Sequence, residues 1–155
     1  MLVAGVGNVL RGDDGFGVVV AQRLLEEDVP AEVRVLDIGI GGIHLVQELL
    51  DGIDALVIVD ATDLGRPPGT VSVIRPDVSA PAGPDDLADM HYATPERALM
   101  LAGALRILPE SVWIVGCQPA DAERLGEGLS PPVAAAVDPA VAEVRRLVAS
   151  VLRTA

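Results

Sequence analysis

The stretch GVGNVLRGDDGFG, from Gly5 to Gly17, decides the interpretation of the rest of the sequence. It follows the apolar residues 2–4 and leads into an amphipathic pattern that begins at Val18, which predicts a turn from a strand into a helix. Its glycines permit positive φ angles and close backbone approach. Asp13 and Asp14 stand side by side where the helix presents unpaired N–H groups. One acid suffices as N-cap, and we assign that role to Asp13, which leaves Asp14 free to face the cleft.

Composition limits the class of protein. The chain has 155 residues, half of them hydrophobic, and we expect one domain over residues 1–155. Its net charge is −12, and its 11 cationic residues are all arginines without a cluster, which argues against nucleic acid or an anionic membrane as a partner. No apolar run reaches the length of a membrane span, and strand residues begin the sequence, so we expect a cytoplasmic monomer without a signal peptide. A single cysteine, Cys117, fits a reducing compartment.

Strand and helix patterns alternate along the chain. The continuous apolar run 55–59, which ends at Asp60, predicts a central strand covered on both faces. The strand 70–74 follows after a connection too short for a crossover helix, which predicts antiparallel pairing with the strand before it. The other predicted strands are 2–6, 32–37 and 112–115. The predicted helices are 15–28, 43–50, one opened by Thr94 and running to 107, and two opened by Ser130 and Asp138, the last running to 152.

This alternation predicts a three-layer α/β/α sandwich around a five-stranded, mostly parallel mixed sheet. Ligands in such folds lie beyond the carboxyl ends of the strands. Asp14, Asp37, Asp60 and Cys117 all fall at that edge.

The strongest candidate site joins Asp14, Asp60 and His91. His91 lies in the proline-containing segment 75–93, and long loops of this kind are often functional. Taken singly, the three residues have ordinary explanations: a helix start, a strand end and a loop position. Taken together, two carboxylates and an imidazole from three loops suit a divalent metal ion, balance its charge and leave coordination positions open.

Two further residues have weaker functional interpretations. We interpret Cys117 as a buried thiol, because no acid and orienting group are spaced to form a triad with it. We interpret His44, on a short predicted helix, as a surface histidine.

Landmarks along almost the whole chain resemble those of the hydrogenase maturation proteases. They are GVGNVLRGDDGFG, VIVDA at 57–61, PPGTV at 67–71, His91, VGCQP at 115–119 and GLSPPV at 128–133. Members of that family are endopeptidases that remove a C-terminal extension from the large subunit of nickel-iron hydrogenases. The resemblance therefore implies that the partner and substrate is a hydrogenase large-subunit precursor.

The resemblance also implies roles for individual residues. In that family the second acid of the glycine loop, the acid ending the third strand and a histidine of the long loop bind metal. The matching positions are Asp14, Asp60 and His91, which are therefore the catalytic and metal-ligand candidates. The implied metal is nickel carried by the precursor, with cadmium or zinc as substitutes. A second glycine-rich turn resembles a segment linked to substrate recognition, with the residues Asp37, Gly39, Gly41 and Gly42.

Two other classes share part of this pattern. A dinucleotide-binding enzyme would use GVG and Asp37, but Leu10 occupies the position of its third glycine, and the Asp13–Asp14 pair puts negative charge where a pyrophosphate would dock. A non-catalytic metal-binding or receiver-like module would also have acids after the first and third strands. A receiver needs a lysine after the last strand, and this sequence contains no lysine.

Overall fold

The computed structural model describes residues 1–78 and 94–154. Its elements in chain order are β1 (Leu2–Val6), a 3₁₀ helix (Gly12–Gly15), α1 (Phe16–Leu25), β2 (Arg34–Gly39), α2 (Gly42–Leu49), β3 (Ala55–Ala61), β4 (Val71–Ile74), α3 (Pro95–Ala104), β5 (Ser111–Cys117), α4 (Pro131–Ala134) and α5 (Val137–Thr154). None of the helices in these two ranges combines the length and apolarity that crossing a membrane requires.

The strands form one five-stranded sheet in the order β2-β1-β3-β5-β4. The first four strands in this order are mutually parallel, and β4 runs antiparallel to β5. The prediction of a mostly parallel mixed sheet is thus confirmed. The predicted pairing of β4 with the strand before it was wrong, because β1 and β5 occupy both sides of β3. The connection after β3 instead carries the chain to the far side of β5.

Helices cover both faces of the sheet, so the three-layer architecture is confirmed. Successive strand residues point to opposite faces, and strands covered on both sides therefore need an apolar residue at nearly every position. One core cluster lies between the sheet and helices α1 and α5, and its strand residues include Val3, Val57, Val59 and Val115. The other lies between the sheet and helices α2 and α3, and its strand residues include Leu2, Leu56, Ile58 and Ile114.

Helix α1 begins in direct contact with the strand backbone. A Cβ on Gly17 would lie 2.0 Å from the carbonyl oxygen of Val59 and 2.3 Å from that of Val6. Real Cβ atoms are not found at such distances, so only glycine permits this approach. The contact brings the start of α1, and the 3₁₀ helix before it, next to the carboxyl end of β3.

Element ends differ from the predicted ones where tertiary pairing extends or shortens a local pattern. Strands β3 and β5 pair along their whole length, so Asp60 lies inside β3 opposite Gly116 and is not the residue after the strand. Helix α3 ends at Ala104, three residues earlier than predicted, and Arg106 has a positive φ of 59°.

Candidate functional site

The turn after β1 folds back over the 3₁₀ helix and orients Asp14. Gly7 has a φ of +138°, and a Cβ there would lie 1.9 Å from the carbonyl oxygen of Asp14. The backbone N–H of Asn8 donates a hydrogen bond of 2.9 Å to Oδ2 of Asp14, and the Asn8 side chain accepts one of 2.9 Å from Leu10 N. The turn backbone therefore fixes a partly buried carboxylate at the carboxyl edge of the sheet.

Asp60 reaches the same edge from β3. Burial raises its pKa to about 8, and the negative charges of Asp14 and Glu96 act in the same direction, against a hydrogen bond from the Ala61 backbone. Among residues 1–78 and 94–154, no cationic side chain forms an ion pair with Asp14 or Asp60. A divalent cation would offset this repulsion, so the two carboxylates suit such an ion and supply two oxygen donors for it among the described residues.

Glu96 is an exposed acid whose negative charge acts on Asp60, and the sequence reasoning missed it. It lies in the first turn of α3, two residues after Thr94, whose hydroxyl accepts a hydrogen bond of 3.4 Å from Arg97 N and confirms the predicted N-cap. An acid in the first turn of a helix has an ordinary explanation in the helix dipole, and that explanation gave no indication that its charge acts on Asp60.

Asp13 does not have the predicted capping role. The residue before α1 is Gly15, and no side chain caps the helix. Asp13 is instead 1% exposed and accepts hydrogen bonds from Ala120, Asp121 and Ser130, more than 100 positions away. Burial alone would raise its pKa, but these hydrogen bonds outweigh burial and lower the pKa of Asp13 below its ordinary value.

The third predicted ligand, His91, lies outside the described residues. Within residues 1–78 and 94–154, no three His, Cys, Asp or Glu side chains are grouped so that they could hold a metal ion. Among the described residues, the charge of Asp14 acts on Asp60. The metal site itself and the contribution of His91 stay predictions.

The segment predicted to recognise substrate lies beside this turn. Asp37 is exposed and accepts a hydrogen bond of 3.3 Å from Gln22 Nε2, and the carbonyl oxygen of Gly39 accepts one of 2.9 Å from Gly7 N. A pocket of about 240 Å³ opens between the two turns, lined by Gly7, Asn8, Val9, Leu10, Val18, Gln22, Asp37, Gly39 and Ile40. Gly41 and Gly42 are not in its lining and instead begin α2.

Gln118 organises the connection that follows β3. Its Oε1 accepts hydrogen bonds from Leu64 N at 2.7 Å and from Arg66 N at 3.2 Å, while its Nε2 donates to Asp63 Oδ1 at 2.9 Å. The sequence reasoning did not single out this residue. The available signal was a polar side chain directly after a buried strand.

Cys117 and His44 have the surroundings predicted for them. Cys117 is fully buried, and burial, with a smaller effect from the charge of Asp13, raises the pKa of its thiol to about 11. His44 is exposed on α2, with Nε2 3.2 Å from Glu48 Oε1. Neither residue joins the two acids.

Comparisons with known proteins agree on one family. A family model described as "Hydrogenase maturation protease" matches residues 18–147. A hydrogenase expression/formation protein HupD from Rhodobacter capsulatus is 38% identical over 148 residues, which cover 94% of this chain and 70% of that protein.

Solved structures agree with the sequence match. The hydrogenase 2 maturation peptidase of a Thaumarchaeota archaeon has a TM-score of 0.72 and 35% identity, covering 95% of this chain and 96% of its own. The hydrogenase maturating endopeptidase HybD from E. coli has a TM-score of 0.73 and 29% identity, covering 92% of this chain and 88% of its own. The chain therefore belongs to the hydrogenase maturation protease family, a family of endopeptidases.

Proposed function

We propose that this chain removes the C-terminal extension of a nickel-iron hydrogenase large-subunit precursor after nickel has been inserted. Family membership supports the endopeptidase activity and the class of substrate. The dependence on nickel rests on the acids at the carboxyl edge of the sheet.

The convergence of Asp14 and Asp60 is the observation that carries the proposal. Asp14 comes from the 3₁₀ helix and Asp60 from the end of β3, and neither has a cationic partner among the described residues. Burial, together with the negative charge of Asp14, raises the pKa of Asp60 to about 8. Such a pair favours a bound cation, and His91 is the proposed third ligand. Nickel held by the precursor would supply that cation and keep the segment to be cut beside these residues.

The residues of this chain then act in three ways. Asn8 N holds Asp14 in place for the cation. Asp60 holds a proton near neutral pH when no cation is present, and gives it up when the cation binds. The pocket between the turns, with Asp37 at its wall, receives the precursor. We assign this activity to a cytoplasmic monomer, and analytical ultracentrifugation of the purified chain tests its oligomeric state.

Incubation with matched precursors tests the proposal. The chain is mixed with a nickel-loaded and with a nickel-free large-subunit precursor, and the products are weighed by mass spectrometry. We expect a C-terminal peptide to be released only from the loaded precursor. Equal cleavage of both would contradict the nickel dependence, and no cleavage of either would contradict the peptidase activity.

Variants tie the activity to the site. Asp14→Asn, Asp60→Asn and His91→Ala should each reduce cleavage at least about 100-fold, the size of effect seen when a charge-stabilising group is removed from an active site. Asp54→Asn is the matched control, because Asp54 is an exposed acid just before the amino end of β3. Its cleavage rate should equal that of the unmodified chain.

A further inference from the structure

We propose that Asp13 is a positioning residue that fixes the strap, residues 118–130, onto the turn that carries Asp14, and thereby holds Asp14 opposite Asp60. The proposal rests on the function proposed above and adds a residue to it. Asp13 acts through the backbone and touches neither the cation nor the precursor.

Both ends of the strap are bonded to one carboxylate. Oδ2 of Asp13 accepts from Ala120 N at 2.9 Å, from Asp121 N at 3.0 Å and from the Ser130 hydroxyl at 2.8 Å, while Oδ1 accepts from Ser130 N at 2.6 Å. The side chain is almost fully buried, so water does not compete for these bonds. Asp13 therefore closes the strap into a loop against the 3₁₀ helix.

The backbone of the strap in turn holds the turn before Asp14. The N–H of Gly12 donates to Gly126 O at 3.0 Å, and the N–H of Gly126 donates to Leu10 O at 2.9 Å. The N–H of Asp13 donates to Asp121 O at 3.2 Å. Asp14 follows directly, and its own carboxylate is held by a hydrogen bond from Asn8 N. Its position thus depends on the backbone that the strap supports.

The four bonds require a carboxylate and not merely a polar side chain. Each oxygen of Asp13 faces at least one backbone N–H, and a backbone N–H cannot accept a hydrogen bond. In Asp13→Asn, whichever way the amide is turned, its NH₂ group points at a donor. The isosteric variant therefore releases one end of the strap with almost no change in volume.

The test compares three variants by two readouts. Asp13→Asn releases one end of the strap. Ser130→Ala removes only the hydroxyl bond and keeps the three bonds from backbone N–H groups. Val144→Ala removes a buried part of a side chain from the core face of α5, outside the strap. Val144→Ala is the stability control, and the loss of stability in each variant is measured by urea unfolding. The readouts are the Kd for Cd²⁺ alone, from calorimetry, and kcat and KM for precursor cleavage.

We expect Asp13→Asn to weaken Cd²⁺ binding at least about tenfold and to lower kcat/KM for precursor cleavage at least about tenfold. Val144→Ala and Ser130→Ala should keep Kd and kcat/KM within about threefold of the unmodified chain. Unchanged values in Asp13→Asn, or an equal loss in Val144→Ala, would overturn the proposal.

A second variant tests the same contact if Asp13→Asn fails to fold. Asp121→Ala loosens the strap from within, because Oδ1 of Asp121 accepts hydrogen bonds from Glu123 N and Arg124 N at 2.9 Å each. Its Kd should rise in the same direction, and an unchanged Kd would overturn the proposal.

A third readout separates this proposal from the proposed function. Hydrogen exchange at the Asn8 amide reports the position of Asp14, because this N–H is bonded to the Asp14 carboxylate. It should exchange at least about tenfold faster in Asp13→Asn and unchanged in Val144→Ala, even if the unmodified chain neither cleaves a precursor nor binds Cd²⁺. Slow exchange in Asp13→Asn would contradict the positioning role alone.

Discussion

Gly17 in α1 and Val59 in β3 are in direct backbone contact: a Cβ on Gly17 would lie 2.0 Å from the Val59 carbonyl oxygen. The neighbouring atoms are main-chain atoms, which no side-chain rotation can move away. The first residues of α1 follow the turn that carries Asp13 and Asp14. They therefore pack directly against the backbone of β3 at Val59, the residue before Asp60.

Gly17→Ala should destabilise the fold by about 3 kcal/mol or more, because the helix start has to move off the strands. The urea midpoint measures the loss. Gly103→Ala is the matched control: Gly103 is in α3, and a Cβ added there would meet nothing within 4 Å, so alanine should stabilise by about 0.5–1 kcal/mol. Replacing glycine by alanine should thus lower stability at position 17 and raise it at position 103. A change of the same sign at both positions would contradict the contact.

The pH dependence of stability should change when Asp60 is replaced. The pKa of Asp60 is raised in the folded state to about 8 from 3.8, so the folded state binds more protons than the unfolded state between these values. Its contribution is complete below pH 3.8 and is lost as the pH rises through about 8. Asp60→Asn should therefore gain stability over the unmodified chain as the pH rises from about 5 to about 9, by at least the roughly 1.4 kcal/mol that one pKa unit represents.

The measurement is urea unfolding in the presence of a chelator. Asp14→Asn removes one of the two charges that raise the pKa of Asp60, so in that variant the loss of stability should move to lower pH. A difference in unfolding free energy between Asp60→Asn and the unmodified chain that does not change between about pH 5 and about pH 9 would contradict the raised pKa.

Divalent cations should stabilise the folded chain. Ni²⁺, Cd²⁺ or Zn²⁺ at about 100 times its Kd should add about 2.7 kcal/mol, seen as a higher Tm in thermal unfolding. The effect should be lost in Asp14→Asn and in His91→Ala and kept in Asp54→Asn. Equal stabilisation of all four proteins would place the bound ion elsewhere.

The side-chain amide of Gln118 should contribute to stability both as a hydrogen-bond donor and as an acceptor. Gln118→Glu keeps an acceptor for Leu64 N but puts a second carboxylate against Asp63, so the urea midpoint should fall. Adding Asp63→Asn should recover part of the loss, because the new amide donates to the new carboxylate. An additive loss in the double variant would show that the contact between the two side chains is unimportant.

The fold class could be predicted because each of its signals is local. The apolar runs at β1 and β3, the proline after Thr94 and the glycines after β1 each specify an element without reference to distant residues. Pairing order is different, because it depends on which strand competes for each edge. Nothing local to residues 70–74 indicates that β5, about forty residues later, takes the position next to β3.

The same limit applies to the site. Asp14 and Asp60 could be predicted to lie at one edge because a parallel sheet brings the carboxyl ends of its strands to that edge. Asp13 was misassigned because its partners, from Ala120 to Ser130, are more than 100 positions away, whereas capping is the local explanation for an acid at a helix start. The effect of the Glu96 charge on Asp60 is likewise a property of packing.

The strand order has a consequence for the chain as it leaves the ribosome. Strand β4 is synthesised before β5, yet β5 is its pairing partner, so the growing chain carries β4 without that partner until residue 117 has emerged. The turn that carries Asp13 and Asp14 is completed later still, because Asp13 lacks the hydrogen bonds from Ser130 until that residue has been synthesised. At the usual rate of about 5–20 residues per second, synthesis from the end of β4 to the end of β5 takes about 2–9 seconds, and synthesis from Asp13 to Ser130 takes about 6–23 seconds. A nascent chain that stalls before this point would hold both carboxylates of the centre, but not the framework that aligns them.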